Sequence, residues 1–135
     1  TQTAENKIPS VACALQGDLD FGSQVMAYDI NLGCSGFVYG LSVITSFMAS
    51  NGFTNGILFT ADPYSKIVDP EDKNTSLLFG DAATATLISN DAVFKPLHFK
   101  FGTKGSDGEA LVSREGVLSM DGRAVFNFSP QSKDS

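Results

Sequence analysis

Apolar side chains between residues 24 and 32 fall on both parities, with Val25, Ala27 and Asp29 alternating against Met26, Tyr28 and Ile30. A strand apolar on both faces is covered on both, so this pattern predicts a central strand rather than an edge strand. The period then changes. Over residues 34–51, Phe37, Leu41, Ile44 and Met48 form one helical stripe, widened by Val43 and Phe47 and interrupted by no charge. That predicts a buried helix, closed by Asn51 and Gly52. Residues 56–61, GILFTA, read as a short continuous apolar strand. Residues 82–89, AATATLIS, read as a second, whose small and β-branched side chains suit close packing on both sides.

Residues 1–9 are polar, end at Pro9 and read as a loop. Residues 10–19 predict a short helix with Ser10 as N-cap and Gly17 as terminator. Residues 62–75 read as a polar loop. Residues 92–101 read as an outer strand, kept from a sheet centre by Pro96. Residues 104–116 read as a charged loop and 117–127 as a last strand-like run. Strand, buried helix and strand in succession, followed by a β-rich end, predict an α/β layered fold with a parallel βαβ unit at its heart. No internal repeat or long linker divides the 135 residues, which is about one domain's length.

Composition narrows the function classes. The chain is 42% apolar and 18% charged, enough apolar content for a core, and its formal charge of −6 argues against nucleic-acid binding. No apolar run reaches the roughly 18 residues of a membrane span. The first ten residues carry neither the basic nor the apolar region of a secretory signal, so a cytoplasmic, reducing setting is expected. In such a setting Cys13 and Cys34 are expected as free thiols.

The candidate chemistry lies at Cys34, where the strand predicted over 24–32 gives way to a helix. Ligands in open α/β sheets bind beyond the carboxyl ends of strands. The first-turn N–H groups of the following helix favour a thiolate, the attacking form, and can receive the negative oxygen of a tetrahedral intermediate. Gly33, Ser35 and Gly36 leave room for a substrate beside the sulfur. The bland alternative is a small buried hydrophobe. The nucleophile elbow, Gly-x-nucleophile-x-Gly, fits Gly36 but fails at Leu32.

Two blocks in register, AYDINLGCSGFVYGL and DPEDKNTSLLFGDAATATLI, resemble the β-ketoacyl-acyl carrier protein synthase III family of the thiolase superfamily. IPSVACALQ and LSMDGRAVFNF match in order and spacing, so the resemblance runs from about residue 7 to residue 128. It implies a thiolase-like layered fold with a mixed sheet and a buried central helix. It also implies a decarboxylating Claisen condensation between an acyl-CoA and malonyl-acyl carrier protein, through an acyl group on Cys34. The family has no cofactor or metal beyond these substrates, and it is a homodimer. By the same resemblance Phe79 and Leu118 line the acyl channel, while Lys73 and Phe126 neighbour the CoA adenine. Ile8 stands where an apolar residue reaches across the dimer.

Three residues depart from the family pattern. Lys73 replaces an Arg, keeping the charge without the planar fork. Ala82 and Thr84 replace two glycines and add side chains near the acyl pocket. The resemblance also puts the family's catalytic His and Asn in a C-terminal half of the fold beyond Ser135, so residues 1–135 are expected to be a single partial domain carrying the nucleophile. The competing expectation is a non-catalytic thiolase-like fragment or subunit that dimerises or binds acyl carriers. His98 reads as solvated on a polar strand face, Cys13 as core packing inside the first helix, and the carboxylates of 69–72 as a solvated loop rather than a metal site.

Overall fold

Helix α1 (Val11–Asp18) begins at Ser10, whose extended backbone (φ −62°, ψ 152°) lets its hydroxyl accept from the Cys13 N–H at 3.3 Å. Gly17 does not end it. The helix runs through Gly17 to Asp18, and the left-handed residue lies beyond, at Asp20 (φ 50°), a residue type that tolerates that conformation. The computed structural model describes residues 1–131, with side chains to Phe128. Two units make it up, Thr1–Asp62 with Ala82–Leu97, and Pro63–Asp81 with the described residues from His98 onward.

In the first unit, α2 (Gly36–Asn51) ends at Gly52 (φ 71°), and the Gly52 and Phe53 N–H groups both reach the Met48 carbonyl. Strand β1 (Asn55–Asp62) pairs antiparallel with β2 (Ala82–Ser89), Asn55 opposite Ser89 and Asp62 opposite Ala82. Small residues let α2 lie close on β1. A Cβ on Gly40 would stand 2.8 Å from Leu58 Cδ1, and one on Gly56 would stand 2.8 Å from Ile44 Cδ1. Met48 is buried beside Gly56. Replacing Gly40 with Val forces Leu58 off this contact and is expected to destabilise the protein by about 1–3 kcal/mol. An unchanged thermal midpoint would show that the two elements have slack between them.

Several sequence expectations are corrected here. Residues 24–32 carry no strand ladder, because no described segment pairs with them; two apolar faces invite burial, but a strand is defined by its hydrogen-bonded neighbour. The parallel βαβ unit is accordingly absent among the described residues, where both ladders are antiparallel. Helix α2 is only partly buried: Phe37, Val38 and Val43 remain exposed, since this unit's two-stranded sheet covers one side of the helix. Most of β2 is exposed for the same reason. Residues 92–101 form no strand, and Val93, Phe94 and Leu97 stand almost wholly in solvent.

Asp62, at the end of β1, holds the first residues of the chain. Its Oδ1 accepts from the Thr1 hydroxyl (2.9 Å), the Gln2 N–H (2.7 Å), the Thr3 N–H (3.0 Å) and the Thr3 hydroxyl (2.8 Å). Partial burial pushes the carboxyl up, but these donors together outweigh it and hold the group below the ordinary carboxylate range. A lowered folded-state pKa stabilises the docked segment above the free-chain value and loses that stabilisation as pH falls through the folded one. The Gln2 and Thr3 amide resonances are therefore expected to hold steady from neutrality downward and to move toward free-chain positions only below about pH 3.9. Movement beginning near neutrality would assign the docking to another group.

In the second unit, the loop expected over 62–75 contains a 3₁₀ turn, Tyr64–Lys66, and a single helical turn, α3 (Lys73–Ser76). Asp72 caps α3 through the Asn74 N–H (3.1 Å) and the hydroxyl of fully buried Thr75 (2.6 Å); Asp69 accepts from the Glu71 N–H. Residues 104–131 depart most from expectation. They hold a 3₁₀ segment (Gly105–Ala110), a hairpin of β3 (Leu111–Arg114) with β4 (Val117–Met120), and helix α4 (Gly122–Gln131). Glu115 (φ 51°) and Gly116 (φ 82°) make the two-residue turn, and the Asp121 carboxylate caps α4 at the Ala124 N–H (3.0 Å).

Candidate functional site

Cys34 occupies a turn. The Gly36 N–H donates to the Gly33 carbonyl at 2.7 Å, folding the chain across Cys34 and Ser35 immediately before α2. Ser35 is the N-cap of α2 but makes no side-chain cap, so beyond Gly36 it leaves the first-turn N–H groups to other acceptors. Such donors, at the positive end of a sixteen-residue helix, suit an anion or a developing oxyanion. Cys34 is exposed and free, as is Cys13, which is not the core residue its apolar neighbours predict, because α1 buries none of its residues among the described ones. The Cys13 thiol, on α1, points to the Ala27 carbonyl at 3.7 Å.

Below this turn the first unit has an open cavity of about 520 Å³, lined by α1, residues 24–32, α2 and β1. Gly33 and Gly36, on either side of Cys34, belong to its lining, with apolar walls from Met26, Ile30, Ile44 and Phe59. Asp29 enters the same region in a role that sequence reasoning left unassigned. Its two carboxylate oxygens accept from the Val11 and Ala12 N–H groups, each at 2.8 Å.

Ile8 also lies in the first unit and is 89% exposed. Phe79, Leu118, Lys73 and Phe126 lie in the second. Phe79 is half-buried, its ring against Tyr64 with centroids 4.9 Å apart. The adjoining turn is pinned by Asp81, which accepts from the Ser65 N–H (2.7 Å) and hydroxyl (2.5 Å); these bonds hold its carboxyl below the ordinary range. Leu118 is buried in β4, with its N–H on the Ile67 carbonyl at 2.7 Å. Lys73, the first residue of α3, is exposed and donates to the Pro70 carbonyl at 2.6 Å. Phe126 is exposed on α4. His98 is exposed, outside any strand.

Residues 28–105 match the family model of 3-oxoacyl-[acyl-carrier-protein (ACP)] synthase III. Over 127 residues the chain is 39% identical to a beta-ketoacyl-[acyl-carrier-protein] synthase III of Neorickettsia sennetsu, covering 93% of this chain and 41% of that protein. It is 35% identical over 145 residues to one of Lactococcus lactis subsp. cremoris, covering 96% and 44%. The crystal structure of the 3-oxoacyl-[acyl-carrier-protein] synthase III of Aquifex aeolicus VF5 matches with a TM-score of 0.83 at 34% identity, over 91% of this chain and 40% of that one. The chain thus spans about four-tenths of the length of the curated relatives it matches. The α/β, thiolase-like fold expected from the sequence is borne out for the portion these structures share.

Proposed function

The chain belongs to the 3-oxoacyl-[acyl-carrier-protein] synthase III family, and on that premise we propose that it carries the nucleophile of a decarboxylating condensation. The Cys34 thiolate attacks the thioester carbonyl of an acyl-CoA, the carbon–sulfur bond to CoA breaks and CoA departs as its thiolate, to be protonated by water, and the acyl group stays on the Cys34 sulfur. In the whole protein, loss of CO₂ from malonyl-acyl carrier protein supplies the enolate that attacks this acyl group and releases Cys34. The observation that carries the reading is an exposed thiol on the turn that opens α2, within the matched span.

Phe79 and Leu118 line the acyl channel in this reading, and Lys73 and Phe126 neighbour the CoA adenine; the exposure of the last two suits contact with a soluble ligand. Ile8 reaches a second copy in a homodimer, which would cover an apolar side chain otherwise bare. The 135 residues act as one partial thiolase-like domain. The setting in this reading is cytoplasmic, which the two free, exposed thiols favour.

Incubation with acetyl-CoA tests the proposal. The peptide bearing Cys34 is expected to gain one acetyl group that hydroxylamine removes, as a thioester requires. Acetylation of Cys13 instead, or of neither cysteine, would overturn it.

A further inference from the structure

We infer that Asp29 is a positioning residue for Cys34: its carboxylate ties the N-terminus of α1 to the segment that delivers the thiol. The inference rests on the reading of Cys34 as the acyl acceptor. Helix α1 opens with three N–H groups that lack intrahelical partners, those of Val11, Ala12 and Cys13. Ser10 takes the Cys13 N–H, and the two oxygens of Asp29 take the Val11 and Ala12 N–H groups at 2.8 Å each. Ser10 acts within the helix's own sequence. Asp29 comes from eighteen residues beyond Val11, so its two charge-assisted bonds join separate segments.

That junction matters because the segment holding Asp29 leads directly into the turn that carries Cys34. Residues 24–32 make two further ties among the described residues. The Cys13 thiol lies 3.7 Å from the Ala27 carbonyl, and the Thr1 nitrogen donates to the Ile30 carbonyl at 3.2 Å. From Asp29 only Ile30, Asn31 and Leu32 intervene before Gly33, where the turn carrying Cys34 begins. A shift at Asp29 has little chain in which to dissipate before it moves the sulfur relative to the first turn of α2. Acyl transfer is sensitive to such displacement, since the carbonyl must meet both the thiolate and the oxyanion donors.

The test is single-turnover acylation of the full natural chain by acetyl-CoA, read by mass at Cys34. Asp29→Asn leaves one acceptor oxygen and sets an NH₂ against the second N–H; Asp29→Glu keeps the charge but displaces it by a methylene. Both are expected to lower the acylation rate constant at least about tenfold with little change in the acetyl-CoA concentration for half-maximal rate. Loss of folded molecules would lower the amplitude instead, and if Asp29→Asn does not fold, Asp29→Glu carries the test. Ser10→Ala, which removes a cap from α1 without cutting the tie to Asp29, is expected to leave the rate constant unchanged. A folded Asp29 variant acylated at the parent rate overturns the inference, as does Ser10→Ala slowing acylation as much as Asp29→Asn. A parent chain not acylated at Cys34 overturns the proposed function, and this inference with it.

Discussion

Replacing Cys34 with alanine is expected to abolish acylation by acyl-CoA and to lower kcat/KM for condensation by at least about 10³-fold, the scale of losing a covalent nucleophile. Serine at this position is expected to do little better, because a hydroxyl without an adjacent base is a far weaker nucleophile than a thiolate. The fold should tolerate either change. Cys34 is exposed on a turn, and surface substitutions of this kind stay within about 0.5 kcal/mol. The separation of effects is the point: activity lost at an unchanged thermal midpoint identifies a chemical role. Cys13→Ala provides the contrast, removing the other free thiol from α1 and leaving acylation intact. Condensation surviving Cys34→Ala would end the assignment, whatever the family resemblance.

The parts of this fold that were legible in the sequence are those whose period alone decides them. The stripe through Phe37, Leu41, Ile44 and Met48 places α2, and Gly52 closes it as expected; only the start differs, since Cys34 and Ser35 form the turn ahead of the helix. AATATLIS gives β2 to the residue. What the pattern could not decide is partnership. Residues 24–32 have the composition of a central strand but no neighbour among the described residues, and α2 has a burial stripe wider than the two-stranded sheet of the described residues covers. In the second unit the signals lie inside stretches whose pattern reads as a loop over 104–116 and as a strand-like run over 117–127. Glu115-Gly116 between residues 111–114 and 117–120 is a two-residue hairpin turn, and Asp121-Gly122 opens a helix.

The candidate site divides along the same line. Cys34 was legible because small residues cluster around a thiol where an apolar segment meets a helix, a local signature. Asp29 was not, although a carboxylate within an apolar run is itself a signal: such a group needs donors, and the nearest unsatisfied ones are at the start of another helix. Its partners lie seventeen and eighteen residues back, a relation that spacing does not encode.

Phe79 and Leu118, both expected beside the acyl chain, are separable by what each substitution should do. Leu118 is 7% exposed, and β4 is bonded through its N–H to Ile67, so truncation to alanine is expected to cost about 2–5 kcal/mol of stability. Phe79 keeps a half-exposed ring on Tyr64, next to a turn that Asp81 already pins. Phe79→Ala should therefore cost less stability and register mainly in selectivity. An aromatic wall excludes the distal carbons of a long acyl chain, and a methylene admitted or refused is worth about 1–3 kcal/mol in transition-state binding. The ratio of kcat/KM for a longer over a shorter acyl-CoA is accordingly expected to rise by about 10- to 200-fold in Phe79→Ala, with Cys34 alkylation by iodoacetamide unchanged. A constant ratio together with a lowered midpoint would reduce Phe79 to a packing partner of Tyr64. A shifted ratio in Leu118→Ala at parental stability would reverse the two roles.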